Sequence, residues 1–247
     1  MGNKKEVQLR ILVTFGDERF SAATSRIKRE AVESGFFDKI VHKKESDLPE
    51  EYWKGGMTSE QARQIHGFWW YRWKPRVFLQ ALEESCDGDI VVWADAGCTI
   101  NPKGGARLEE CGQSARTCPY GILPFNCDKT EGQYTKGDVF AHLDCEYLRN
   151  TYQYIATSFI AHRSPSSISF IREWMRLVEE CDLADGTPGE HPDFPEFVQH
   201  RYDQSVFSVL CKKLNILSLG DETDDGSSLS SRTMQCSPIW ATRKRWD

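Results

Sequence analysis

Asp87-Gly88-Asp89-Ile90-Val91-Val92-Trp93-Ala94-Asp95-Ala96-Gly97 opens with a turn signal, runs through unbroken apolar residues and ends in an acid followed by two small residues. An apolar run without polar alternation predicts a strand buried on both faces, in the middle of a parallel sheet. Such sheets bind ligands at the carboxyl ends of their strands. Asp95 would emerge at that rim, with Ala96 and Gly97 leaving room for a bulky group. The geometry suits a metal ion or a ribose. A strand-ending turn, in which the carboxylate satisfies its own backbone, explains the same residues.

Working outward, residues 9–15 (Leu-Arg-Ile-Leu-Val-Thr-Phe) read as a buried first strand ended by Gly16-Asp17. A helix is predicted over 22–33, where Ala23, Ile27 and Ala31 recur at helical spacing before Gly35. A second strand is expected over 37–41, giving a β-α-β opening. Further helices are expected over 59–65, over 76–84 with Pro75 in the first turn, over 136–148, over 165–181 with Ser164 as N-cap, and from about Asp203. Strands are expected over 120–125, pushed to an edge by Pro124, and over 154–162. Residues 182–194 read as a surface loop. The spacing predicts one α/β domain over 1–220 and a mobile extension over 221–247 that ends in a basic tail.

The chain has 247 residues, with 31 Lys and Arg against 37 Asp and Glu, a formal charge of −6. Its positive residues are scattered, which argues against nucleic acid as a partner, since a phosphate backbone calls for a basic stripe. No apolar run approaches the ~20 residues of a bilayer span. The first residues lack the apolar core of a secretory signal, and Glu6 stands where an acylation pattern on Gly2 wants Ser or Thr. A cytoplasmic location is therefore expected. The nine cysteines contain no C-x-x-C pair and read as reduced structural thiols. The signatures of P-loop, dinucleotide-binding, zincin and α/β-hydrolase sites are absent from the sequence. Five of the eight tryptophans (Trp53, Trp69, Trp70, Trp73 and Trp93) crowd into the stretch leading to Asp95.

Tyr71-Arg72-Trp73-Lys74-Pro75 opening a helix, then Gly88 to Gly97, then His200-Arg201-Tyr202-Asp203-Gln204-Ser205, resembles a group of nucleotide-sugar-dependent glycosyltransferases with the GT-A fold. These occur in polysaccharide-building gene sets and are distantly similar to the glycogenin-like and yeast initiating mannosyltransferase-like families. The resemblance runs over about residues 9–210. It implies a Rossmann-like, mostly parallel sheet flanked by helices, and transfer of a sugar from a nucleotide-diphosphate donor to a hydroxyl of a glycan acceptor.

It also implies roles for particular residues. In such enzymes an Asp-x-Asp at this strand end holds Mn²⁺ or Mg²⁺. Here Trp93-Ala94-Asp95 keeps the last acid, so Asp95 would contact metal and ribose. One carboxylate is a weak site unless the diphosphate and another side chain complete it. Thr14, Phe15 and Gly16 would line the nucleobase and ribose pocket, with Arg26 facing it. Trp73, Lys74, Ala96 and Gly97 would complete the donor site, Lys74 either as a point charge for phosphate or as a solvated helix start. Asp203 would be a general base or orient the sugar, unless it only caps a helix. His200, Arg201 and Gln204 would lie beside the sugar, His200 either ligating metal or serving structure. Lys136 and Asp138 would face the acceptor or merely open a helix. Residues 157–159 would floor the sugar site or be an ordinary buried strand. Arg243-Lys244-Arg245 would be a lid over the diphosphate or a disordered tail. Residues 69–73 would form one wall of the cleft. The other readings carried forward are a carbohydrate-binding protein without catalysis, with Trp69, Trp70 and Tyr71 stacking on sugars, and a sugar nucleotidyltransferase.

Overall fold

The computed structural model describes residues 8–53, 57–223 and 235–246. In chain order its first half contains β1 (Arg10–Phe15), α1 (Ser21–Ser34), β2 (Lys39–Lys43), α2 (Ser59–Gln64), α3 (His66–Trp70), α4 (Trp73–Glu83), β3 (Ile90–Ala94), β4 (Thr99–Ile100) and α5 (Gly105–Thr117). Then follow β5 (Ile122–Leu123), β6 (Asn126–Thr130), α6 (Glu131–Tyr134), α7 (Gly137–Leu143), β7 (Tyr152–Tyr154), β8 (Ser158–His162), α8 (Pro165–Glu179), α9 (Asp203–Lys213) and β9 (Ile239–Trp240).

The main sheet has the order β2-β1-β3-β8-β5. β1 pairs in parallel with both β2 and β3, and β8 runs antiparallel to β3 and β5. The expected mixed α/β architecture with a mostly parallel sheet is therefore observed. β3 lies at the centre with all five residues buried, which is why its sequence carries no polar alternation. Its faces divide the core. Val91 and Trp93 join Ile11 and Val13 beneath Phe78 of α4, Trp174 of α8 and Phe207 of α9. Ile90, Val92 and Ala94 join Leu12 beneath Ile27 and Ala31 of α1 and Leu108 and Cys111 of α5.

The boundaries that moved have local causes. The second strand begins at Lys39 rather than 37, because β2 is an edge strand of half-buried residues whose apolar density does not mark its ends. Of the strand expected over 154–162, Ser158–His162 forms β8, which pairs with β3, while Tyr154 ends β7, which pairs with β6 in a separate sheet. The helix expected over 136–148 stops at Leu143, where Asp144 takes a left-handed φ of 54°. β5 is the edge strand that Pro124 requires. The mobile extension was expected from residue 221. Residues 224–234 lie outside the described residues, whereas the chain beyond them returns to the domain. β9 pairs antiparallel with β4, and the Asn101 amide donates to the Gln235 and Ser237 carbonyls at 2.8 Å each. Among the described residues, no helix is long and apolar enough to cross a membrane.

Candidate active site

A cleft of about 860 Å³ opens at the carboxyl ends of β1 and β3. Its floor contains Phe15 and Gly16 after β1 and Asp95, Ala96 and Gly97 after β3. Trp73 and Lys74 enter from the start of α4, and Arg201, Asp203 and Gln204 from the start of α9. Three sequence-distant motifs thus meet because each sits where an element begins or ends at the same rim. Gly16 is needed for close approach, since a Cβ there would collide with the Thr24 side chain.

Lys74 forms the hub. Its Nζ lies 3.1 Å from Asp95 Oδ1 and 3.2 Å from Asp203 Oδ2, and it donates to the Ala156 carbonyl at 3.0 Å. The side chain is only 3% exposed, so it is not a solvated helix start. Burial alone would lower its pKa, but the attraction of Asp203 and Asp95 outweighs burial and raises it above the ordinary lysine value. Asp203 is as deeply buried as Lys74. Burial pushes its carboxyl up to about 7 and the Asp95 charge adds to this, against the pull of Lys74. Asp203 does not cap α9, because the N-cap position is held by Tyr202, with φ 52° and ψ −123°. A non-glycine residue there costs about 1–3 kcal/mol and aims the following carboxylate inward. Asp95 is the acid that reaches the cleft, its side chain 30% exposed. The Trp93 indole N–H donates to Asp95 Oδ1 at 2.8 Å, so the residue at the first position of the Trp-Ala-Asp triplet orients its last acid.

The divalent ion implied by the resemblance does not fit these donors. Asp95 Oδ1 already accepts from Trp93 and faces Lys74, and the space between the two carboxylates is filled by an ammonium. Hard divalent ions take about six oxygen ligands. Among the described residues no group of three His, Cys, Asp or Glu side chains is arranged to hold a metal.

The wall opposite the acids is aromatic. Phe15 stacks on Trp73 with centroids 4.0 Å apart and on Phe68 at 6.3 Å. Phe68 and Tyr71 are delivered by an unusual backbone, because Gly67, Phe68, Trp69, Trp70 and Tyr71 all have φ between 48° and 61°. Each L-residue in that left-handed region costs roughly 1–2 kcal/mol. Burial offsets the cost. Trp69 is only 7% exposed, lies edge-on to Tyr52 and carries the Arg72 guanidinium 4.5 Å above its ring. Trp69 is therefore core rather than cleft wall, and the bunched tryptophans divide between packing (Trp69, Trp93) and the site (Trp73). Gly67 has to be glycine, since a Cβ would run into the Tyr71 ring.

Residues 241–246 close one side. The Lys244 N–H and Thr242 hydroxyl both donate to the Gly97 carbonyl at 3.0 Å, and Arg26 donates to the Lys244 carbonyl at 3.1 Å. Arg243, Arg245 and Trp246 line the cleft as a result, the Arg245 guanidinium 5.5 Å from the centre of the Phe20 ring. The basic segment is thus bound to the Asp95 turn rather than a disordered tail.

Other expected site residues do not line the cleft. Thr14 is fully buried in β1. Arg26 spends its guanidinium on Glu30 and on the Ala96 and Lys244 carbonyls, fastening the cleft floor to residues 241–246. Lys136 donates to the Asp185 and Thr187 carbonyls and pairs with Asp138, which also holds His191. His200 accepts from the Lys136 N–H and contacts the Leu183 carbonyl at 2.9 Å. Burial pulls its pKa down to about 4, against the hydrogen bond to Leu183. Because the folded-state pKa lies below the unfolded one, the stability from neutral His200 is present above about pH 6.5 and lost as pH falls toward 4. The full loss is roughly 3 kcal/mol. Denaturant midpoints should therefore drop between pH 7 and pH 4, and His200→Gln should show a smaller drop; equal drops would remove His200 as the cause.

Reading by motif misses Asp17, Arg19, Arg63, His66, Cys98 and Tyr202, all of which line the cleft, whereas Tyr71 lines it as expected of residues 69–73. Tyr202 sits inside a quoted motif, and that adjacency was the available signal. Arg19 and Arg63 carry none, since they are ordinary arginines paired with Asp17 and Glu45.

No family model and no curated protein sequence matches this chain. Solved structures do match it. A glycosyltransferase involved in the glycosylation of the major capsid of PBCV-1 is 11% identical, with a TM-score of 0.53 over 94% of this chain and 92% of that one. The bifunctional glycosyltransferase WbbM is 10% identical, with a TM-score of 0.48 over 97% of this chain and 46% of that one. The galactosyltransferase LgtC, solved with donor and acceptor sugar analogues, is 9% identical, with a TM-score of 0.44 over 93% and 86%. At such identities the likeness is one of fold, and the chain has a GT-A-like glycosyltransferase fold.

Proposed function

We propose that this protein transfers a sugar from a nucleotide-diphosphate donor to a hydroxyl of a glycan acceptor. The observation that carries the reading is the Asp95–Lys74–Asp203 cluster at the bottom of a cleft rimmed by aromatic rings and arginines. Aromatic faces suit a nucleobase, and the half-exposed Asp95 suits hydroxyls of the ribose or of the transferred sugar. In the reaction the bond between the anomeric carbon and the phosphate oxygen breaks, with its electron pair leaving on the diphosphate. The acceptor oxygen bonds to the anomeric carbon, and its proton passes to a carboxylate or phosphate oxygen of the site.

Negative charge accumulates on the departing diphosphate, so fixed positive charge nearby lowers the barrier. Lys74 acts as a positioning residue, because its ammonium lies between the Asp95 and Asp203 carboxylates and donates to the Ala156 carbonyl. A second reading, sugar binding without transfer, draws on the committed state of Asp95 Oδ1. Incubation with UDP-, GDP-, CDP- and dTDP-sugars, scored for released nucleoside diphosphate, separates the two. Release from one donor class supports transfer. Failure to bind or cleave any of them overturns it, and binding of free sugars alone establishes the second reading.

A further inference from the structure

We propose that Arg243 and Arg245 neutralise the donor's diphosphate in place of a divalent ion, so that donor binding is independent of metal. The inference rests on the nucleotide-sugar reading above. Its first support is the mismatch between a metal and the two carboxylates. Trp93 and Lys74 occupy Asp95 Oδ1, and Lys74 occupies Asp203 Oδ2, all at 2.8–3.2 Å. A divalent ion inserted there would sit beside an ammonium and displace a buried, doubly paired lysine. The ion and the ammonium would repel each other where little solvent screens them.

The second support is where positive charge remains uncommitted. Six cationic side chains line the cleft (Arg19, Arg63, Lys74, Arg201, Arg243 and Arg245) against the acids Asp17, Asp95 and Asp203. Arg19 is paired with Asp17, Arg63 with Glu45, and Lys74 with both remaining acids. Among the described residues, Arg201, Arg243 and Arg245 have no ion-pair partner. Arg201 lies 4.6 Å over the Tyr134 ring. Arg243 and Arg245 are exposed on the segment that the Gly97 carbonyl fastens to the Asp95 turn. Arg243 comes so close that a Cβ on Gly97 would lie 3.3 Å from its Cα. Guanidinium groups bind phosphate oxygens in bidentate fashion, and two of them beside the turn match the two phosphates of a diphosphate. The excess of cations also explains how a chain of net charge −6 would attract a dianion.

Calorimetry with UDP, GDP, CDP and dTDP, each in EDTA and in Mn²⁺, tests the proposal on the full chain. The expected result is one preferred diphosphate bound with the same affinity in both buffers, weakening as salt screens the arginines. Arg243→Gln and Arg245→Gln should each weaken it roughly tenfold. The segment is held by backbone groups and Thr242 rather than by these side chains, so the variants should keep the wild-type thermal midpoint. Tenfold weaker binding in EDTA overturns metal independence and leaves the nucleotide-sugar reading intact. Wild-type affinity in the doubly substituted protein, or wild-type affinity insensitive to salt, overturns the role of the arginines. Failure of all four diphosphates in both buffers overturns this proposal and the functional reading together.

Discussion

Lys74→Met is expected to cost about 3–5 kcal/mol of folding stability and to slow sugar transfer by at least about 100-fold. The substitution keeps an unbranched side chain one atom shorter but leaves Asp95 and Asp203 facing each other without the ammonium that lies between them. Asp203 is 3% exposed and has no water to turn to, so it would hold its proton to a higher pH than in the wild type. The Ala156 carbonyl would lose its 3.0 Å donor as well. Lys74→Arg should not rescue activity, because a planar fork cannot place one compact charge between two carboxylates in so buried a site. Denaturant unfolding and release of nucleoside diphosphate measure the two effects. A Lys74→Met protein of wild-type stability and turnover would sink the hub role assigned to this lysine.

Asp95→Asn separates chemistry from folding more cleanly. The amide oxygen can still accept from the Trp93 indole at the position of Oδ1, and Asp203 remains as a carboxylate partner for Lys74, so the stability loss should be smaller than that of Lys74→Met. Transfer should nevertheless fall by roughly 10²–10³-fold, since the carboxylate that meets the substrate hydroxyls has lost its charge. If the loss lies in kcat with KM unchanged, Asp95 acts in the transition state; a rise in KM alone would make it a binding residue. Unimpaired turnover removes Asp95 from the mechanism.

The sheet was legible because β3 is buried on both faces and its composition says so, while the half-buried β2 and the two-residue β5 carry too little apolar signal to set their own limits. The site was legible where a motif coincided with the end of an element. Asp95, Trp73, Lys74 and Asp203 all sit at such points, and a parallel sheet brings those points to one rim. Residues placed by resemblance alone fared differently. Arg26, Lys136 and His200 also bond backbone carbonyls or amides far away in the chain, and nothing in their neighbours' identities reveals that. The commitment of Lys74 to both acids was equally hidden, because the three residues span positions 74 to 203 and meet only through the packing of α4 and α9 around β3.

The five left-handed residues from Gly67 to Tyr71 bear on how the protein opens. Their backbone stores strain that the packing of Phe68 and Trp69 offsets, so this stretch should separate from the core at a lower free energy than the sheet does. Amide hydrogens there should exchange well before those of β1 and β3, and a ligand resting on Phe68 and Tyr71 would slow them. The aromatic wall is then also the segment whose local unfolding a bound donor suppresses, and exchange at these amides would report occupancy of the cleft without any turnover being measured.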